Sequence, residues 1–90
     1  MEIQRLKEFL VLADVISISK AATVLDIKQP VLSRHLQELE RDVGVSLLVR
    51  GTSQAALTPP GKRFAILAQE IVEMADELAK EVSGSLKLSA

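Results

Sequence analysis

Residues that typically begin or end helices divide this 90-residue chain into four segments, and in each segment the apolar residues recur at helical spacing. Ser17 and Ser19 can each cap the start of a helix, and Gly44 can end one in a left-handed turn. Thr58 can cap another helix, whose first turn suits Pro59-Pro60. This division restricts the fold more than any other feature. It predicts a mainly helical domain in which only the last helix is long.

The spacing of apolar residues predicts helices over residues 2–13, 18–25, 29–43 and 59–82. The first helix is expected to bury one face and the third a leucine-rich stripe. The first face comprises Ile3, Leu6, Phe9, Leu10 and Ala13, and the stripe comprises Leu32, Leu36, Leu39 and Val43.

A small β-hairpin is predicted between the third and fourth helices. Residues 45–49 (VSLLV) are typical of a strand, residues 50–54 (RGTSQ) of a turn, and residues 55–57 (AAL) of a returning strand. Two short helices joined by a tight break at 26–28 and followed by a hairpin match a winged helix-turn-helix. The predicted fold is therefore mainly α with a small β-hairpin wing, followed by a long dimerisation helix.

The last helix carries an apolar stripe that a domain of this size cannot cover by itself. Large exposed apolar patches are rare on monomers, so a second copy of the chain is the simpler partner. We expect a domain over 1–58 and a dimerisation helix over 59–82, which Ser83-Gly84-Ser85 ends. The stripe comprises Phe64, Leu67, Ile71, Met74, Leu78 and Val82, and we assign dimerisation to its first five members.

Composition excludes some functions and leaves others open. The chain has no cysteine and one histidine, so disulfides, thiolate metal sites and a cysteine nucleophile are excluded. We expect no catalytic residue, no metal and no cofactor, and we expect a cytoplasmic protein with no membrane partner. Residues 1–63 carry nine Lys/Arg against seven Asp/Glu, whereas residues 64–90 carry two against five. The modest basic excess thus lies in the predicted compact domain.

The third helix has a polar side opposite its leucines. A helix fits the major groove, where Gln can pair with adenine and Arg with guanine or a phosphate. The N-terminus of the second helix suits a phosphate oxygen, because unpaired N–H groups point there. The polar side comprises Gln29, Pro30, Ser33, Arg34, Gln37 and Arg41, and the phosphate site comprises Ser17, Ser19 and Lys20. From pattern alone, an ordinary solvated face remains the alternative.

Several short motifs follow one another along the chain: residues 17–22 (SISKAA), 29–36 (QPVLSRHL), 38–40 (ELE), 43–45 (VGV), 57–58 (LT) and Gly61. Their order and spacing resemble the N-terminal region of LysR-type transcription regulators. The resemblance covers about residues 3–88 and implies a winged helix-turn-helix whose recognition helix begins near Gln29. It implies base and phosphate contacts at Gln29, Pro30, Ser33 and Arg34, and a basic residue at Lys20.

The resemblance also implies partners. A homodimer joined by its linker helices would read two half-sites of roughly palindromic double-stranded DNA, and the full-length protein could form a tetramer. Residues 83–90 would comprise an interdomain hinge at Ser83-Gly84-Ser85 and the start of an effector domain that these 90 residues do not include. A small-molecule effector would act only through that domain.

Four departures from the family pattern bear on these expectations. The family usually has Gly-Ser-Phe where this chain has Ile16-Ser17-Ile18, and Phe where Leu48 stands. The turn Thr52-Ser53-Gln54 lacks the usual basic residues, which leaves Arg50 as the predicted wing contact and implies weaker or more salt-sensitive binding. Pro59-Pro60 replaces a more acidic helix start.

Other functional classes stay open at this point. An enzyme is disfavoured: His35 could be a general base, but we expect it on the outer face without a fixed acidic partner. Glu38, Glu40 and Asp42 do not alternate as metal ligands in a loop would, and Glu38 with Arg41 or Asp42 is interpreted as ordinary surface charge. A helical interaction module that has lost DNA binding is one alternative, and the head of a molybdate-responsive regulator is another.

Overall fold

Four helices build the protein in a computed structural model that describes residues 1–49 and 56–82. They are α1 (Ile3–Val15), α2 (Ile18–Leu25), α3 (Gln29–Val43) and α4 (Pro59–Val82). The predicted mainly helical class and the order of the helices are confirmed. The first helix continues two residues beyond its predicted end.

The predicted caps account for the helix boundaries. Ser17 Oγ accepts a hydrogen bond from the backbone N–H of Lys20 at 3.3 Å and starts α2. Gly44 ends α3 at φ 77°, a left-handed conformation that glycine adopts without strain. Thr58 Oγ1 accepts from the N–H of Gly61 at 3.0 Å at the start of α4. Local sequence chemistry therefore fixes where three of the helices begin or end.

The core lies where α1 packs against the other three helices. Leu6, Phe9 and Leu12 of α1 are buried, and the rings of Phe9 and Phe64 meet edge to face at a centroid distance of 5.1 Å. From α3, three members of the predicted leucine stripe are buried and Val43 packs at their edge. Ile3 is the exception among the predicted core residues, because its side chain is exposed on the surface beside α4.

The connection between α3 and α4 has less strand than predicted at its described ends, residues 45–49 and 56–57, whereas the predicted turn over 50–54 lies outside the described residues. In its described part, a single antiparallel bridge joins Leu48 to Leu57, supported by a 2.8 Å hydrogen bond from Val49 N–H to the Ala56 carbonyl. The physical reason lies in Glu40, whose carboxylate accepts from the N–H groups of Leu47 at 2.7 Å and Leu48 at 3.1 Å. The Leu47 N–H is therefore not available to pair with Thr58 and extend the ladder on that side, and the Leu48 N–H points away from the partner segment.

The start of α4 crosses this connection closely. Gly61 is buried, and a Cβ at that position would overlap the carbonyl oxygen of Leu47. The same carbonyl accepts from Thr58 N–H at 3.0 Å. Glycine is thus required at 61 by the close approach of two backbones, which sets the angle at which α4 leaves the domain.

Candidate nucleic-acid interface

The outer face of α3 is polar and exposed. Gln29, Pro30, Arg34 and Gln37 are exposed, and Ser33 is half-buried at the edge of the face. Arg41 continues the same face one turn further. The leucine stripe lies opposite, so the core holds α3 and the predicted base-reading residues point away from it.

Arg34 already has a neighbour of opposite charge on α3. Its Nε lies 3.9 Å from Oε1 of Glu38, and the two side chains are 64% and 49% exposed. An ion pair this long and exposed contributes little free energy, so the guanidinium can leave it at small cost. The carboxylate nevertheless lowers the positive potential of this face.

The N-terminus of α2 combines a capping serine with a positive helix end. Ser17 Oγ and Ser19 Oγ lie 3.1 Å apart, and Lys20 is exposed next to them. Two hydroxyls, an ammonium group and the helix dipole suit a phosphate oxygen. All three residues predicted for this contact therefore lie together, whereas Arg50, the predicted wing contact, lies outside the described residues.

His35 is placed differently from its predicted position. It does not lie on the outer face: its side chain is 15% exposed, and Nδ1 lies 3.0 Å from Oε1 of Glu8 on α1. The carboxylate of Glu8 also accepts a 2.8 Å hydrogen bond from Nη1 of Arg5. The expectation of an outer histidine without an acidic partner was wrong, because the partner is 27 positions away in sequence and on another helix.

Glu40 has partners that the sequence did not predict. It is buried, and besides the two backbone N–H groups it accepts from the hydroxyl of Ser46 at 3.3 Å. These contacts cap the connection after α3 and join it to that helix. Nothing in the local sequence distinguishes Glu40, which is buried, from Asp42, which is exposed.

The outer side of α4 carries a second candidate surface, which we call the α4 stripe: Leu67, Ile71, Met74 and Leu78. All four side chains are exposed, and Ile3 joins three of them along an apolar groove. Phe64 is set apart from this stripe, because it packs against Phe9 of its own chain. On the inner side, Ala68 and Val72 are buried. The sequence-based prediction missed them because it followed the larger apolar side chains of the helix.

Among residues 1–49 and 56–82, no group of three or more His, Asp or Glu side chains is arranged to hold a metal ion. Within the same residues, no helix has both the length and the apolar character needed to cross a membrane.

Comparison with known families identifies this arrangement. The model of the bacterial regulatory helix-turn-helix proteins of the lysR family matches residues 3–62. The chain belongs to this family. The expected resemblance is thereby confirmed, and α2 and α3 are the helix-turn-helix. The match favours this family over the head of a molybdate-responsive regulator.

Several LysR-family relatives are similar over most of the chain. The transcriptional regulator BenM of Acinetobacter baylyi is 37% identical over 78 residues, which are 87% of this chain and 26% of BenM. The regulator BudR of Raoultella terrigena is 36% identical over 84 residues, 93% of this chain and 29% of BudR. The chain thus spans about a quarter to a third of the length of these relatives.

LysR-family domains solved with DNA have the same fold. The BenM DNA-binding domain in complex with benA site 1 DNA superposes with a TM-score of 0.89 at 34% identity, covering 96% of this chain and 100% of that one. The CbnR DNA-binding domain in complex with DNA also gives 0.89, at 34% identity over 94% of this chain and 98% of that one. The four helices of this chain are therefore a LysR-type DNA-binding-domain fold.

Proposed function

We propose that this chain binds double-stranded DNA sequence-specifically as the DNA-binding part of a dimeric LysR-type transcription regulator. The observation that carries the proposal is the exposed polar face of α3, in a fold that BenM and CbnR domains share in their DNA complexes. Gln29, Pro30, Ser33, Arg34 and Gln37 would enter the major groove and contact base edges and phosphates.

Helix α2 would position α3 on the duplex. Ser17, Ser19 and Lys20 would hold a phosphate oxygen at the start of α2. Phosphate contacts of this kind carry no sequence information, but they fix the register in which α3 meets the bases. Arg50 and the hairpin wing would add a contact to the adjacent minor groove.

Dimerisation would present two such units at once. The α4 stripe is apolar and exposed, and burial against a second copy would remove it from water. Phe64 would support this helix from inside through Phe9. A twofold dimer then reads two half-sites of a roughly palindromic site. Residues 83–90 would lead to an effector domain in the full-length regulator, whose location is the cytoplasm.

The test combines site selection with binding measured at two salt concentrations. The chain selects duplexes from a random pool, and fluorescence anisotropy then measures its affinity for the preferred duplex and a scrambled one. Affinity should fall steeply between about 50 and 200 mM salt as phosphate contacts are screened. Arg34→Ala should weaken binding to the preferred duplex by about 1–3 kcal/mol.

Lys7→Ala is the matched control, because Lys7 is an exposed cation on α1 outside the proposed interface. It should change affinity for both duplexes equally and only slightly. Negligible binding of the wild type at low salt would contradict the proposal and favour the interaction module instead. Equal losses in the two variants would contradict base reading by Arg34.

A further inference from the structure

The recognition helix is held by buried carboxylates at both edges of its leucine stripe. At one edge, His35 lies 3.0 Å from Glu8 of α1. At the other, Glu40 accepts from the backbone of Leu47 and Leu48. Successive residues turn by about 100° around a helix, which places positions 35 and 40 on opposite flanks of Leu32, Leu36 and Leu39.

Leucine packing alone does not fix the rotation of a helix about its own axis well. Apolar contacts are non-directional, and a set of leucines can repack when a helix turns slightly. A rotation of about 20° moves a side-chain end 6 Å from the axis by roughly 2 Å, which is enough to lose a bidentate base contact. A directional hydrogen bond from the flank of the helix opposes such a rotation.

The bond between Glu8 and His35 has the required properties. The Glu8 side chain is 5% exposed, so water competes little for its carboxylate. A carboxylate only accepts hydrogen bonds, and therefore Nδ1 is the ring nitrogen that carries the hydrogen. Arg5 holds the other oxygen at 2.8 Å, which orients the carboxylate toward His35. The contact joins α1 directly to the residue that follows Arg34.

We propose that Glu8 is a positioning residue for DNA recognition: through His35 it sets the rotation of α3 that brings Gln29, Arg34 and Gln37 to the bases. The inference rests on the DNA-binding function proposed above. Glu8 and His35 do not contact DNA themselves. Loss of a bond that only stabilised the fold would lower the free energy of unfolding and leave the choice of sequence unchanged, whereas loss of a positioning bond would also change the choice of sequence.

The experiment measures the ratio of affinities for the selected and scrambled duplexes, with each affinity corrected for the folded fraction from circular dichroism. The variants are Glu8→Leu, which removes both acceptor oxygens, His35→Leu and the double variant. In each single variant the ratio should fall at least about fivefold, because that is the effect of losing one well-formed base contact. The double variant should fall no further, because both changes break the same bond.

Asp14→Asn is the control for charge, because it removes an exposed carboxylate from the same helix. Its ratio should equal that of the wild type. An unchanged ratio in folded Glu8→Leu and His35→Leu would overturn the positioning role while the DNA-binding proposal stands. A wild type without any preference between the two duplexes would overturn both.

A second measurement does not depend on DNA. Nitrogen chemical shifts of the His35 ring should report a hydrogen on Nδ1 in the free wild-type chain, and Glu8→Leu should shift them together with the backbone amides of Arg34 and Gln37. A ring with a hydrogen only on Nε2, or unmoved amides in α3, would overturn the proposal even if the chain binds DNA.

Discussion

Ile16 ends α1 in the left-handed region, at φ 55° and ψ 36°, where a β-branched side chain is strained. Its N–H closes the helix by donating to the Leu12 carbonyl at 2.9 Å. The side chain is exposed, so it gains little from burial in return. The family pattern usually has glycine here, and the backbone conformation gives the reason. Asp26 adopts the same conformation after α2, but aspartate tolerates it better.

Replacing Ile16 by glycine should therefore stabilise the protein. Relief of the left-handed strain contributes about 1–2 kcal/mol, and the greater freedom of glycine in the unfolded chain removes part of it, which leaves a gain of about 0.5–1 kcal/mol. Urea unfolding at a fixed protein concentration measures the difference. Asp26→Gly is the comparison and should gain less. A loss of stability in Ile16→Gly would show that the isoleucine side chain makes a contribution larger than its exposure indicates.

Single residues also mark the limit of sequence-based prediction. Ser17, Gly44 and Thr58 were predicted as caps because a cap depends on residues within the next few positions. Glu8 and Glu40 were not predicted as buried, because their partners come from other elements. No local pattern distinguishes a carboxylate that will find a distant donor from one that stays in water.

At the scale of elements, α3 and the segment after it behave as one unit. Glu40 lies in the last turn of α3 and accepts from the backbone at Leu47 and Leu48 and from Ser46. A side chain of the helix thus does what a neighbouring strand would otherwise do. The prediction of a strand over 45–49 considered only β-propensity and alternation, and such propensities give way to tertiary contacts.

Removing the Glu40 carboxylate should loosen this unit. In Glu40→Ala, two buried N–H groups lose their acceptor, which should lower the free energy of unfolding by about 2–4 kcal/mol. Thermal and urea unfolding followed by circular dichroism measure the loss. Glu38→Ala is the control on the same helix: its carboxylate is exposed, and the change should stay within about 0.5 kcal/mol. Similar losses in both variants would contradict a capping role for Glu40.

The helices themselves were predictable for a different reason. In each helix the apolar residues recur at helical spacing. The ends of α2, α3 and α4 also carry strong local signals, such as Pro59-Pro60. The candidate interface followed from the same pattern, since residues opposite a leucine stripe must face outward. What periodicity could not resolve is which of two apolar faces of α4 meets α1. The small Ala68 and Val72 do so, and the larger residues of the α4 stripe stay exposed.

At the scale of the whole molecule, charge and apolar surface are separated. Residues 1–63 carry nine basic and seven acidic side chains, and residues 64–90 carry two and five. The proposed DNA-binding face lies in the first part, and the acidic side chains lie along α4, where they are not expected to meet phosphates. This separation lets a chain with a net charge of −1 approach DNA by one end.

The α4 stripe completes this division, because four exposed apolar side chains on one helix favour association.

Leu67→Glu or Ile71→Glu would place a carboxylate in the proposed seam, where burial without a partner is costly, and should give monomers in sedimentation velocity. Gln69→Glu adds the same charge on the same helix outside the stripe and should leave the dimer intact. Because a monomer reads one half-site, the two seam variants should also lose most of their affinity for a palindromic duplex while keeping weak binding to a single half-site. A wild-type chain that sediments as a monomer at micromolar concentration would contradict the dimer, and the stripe would then need another partner.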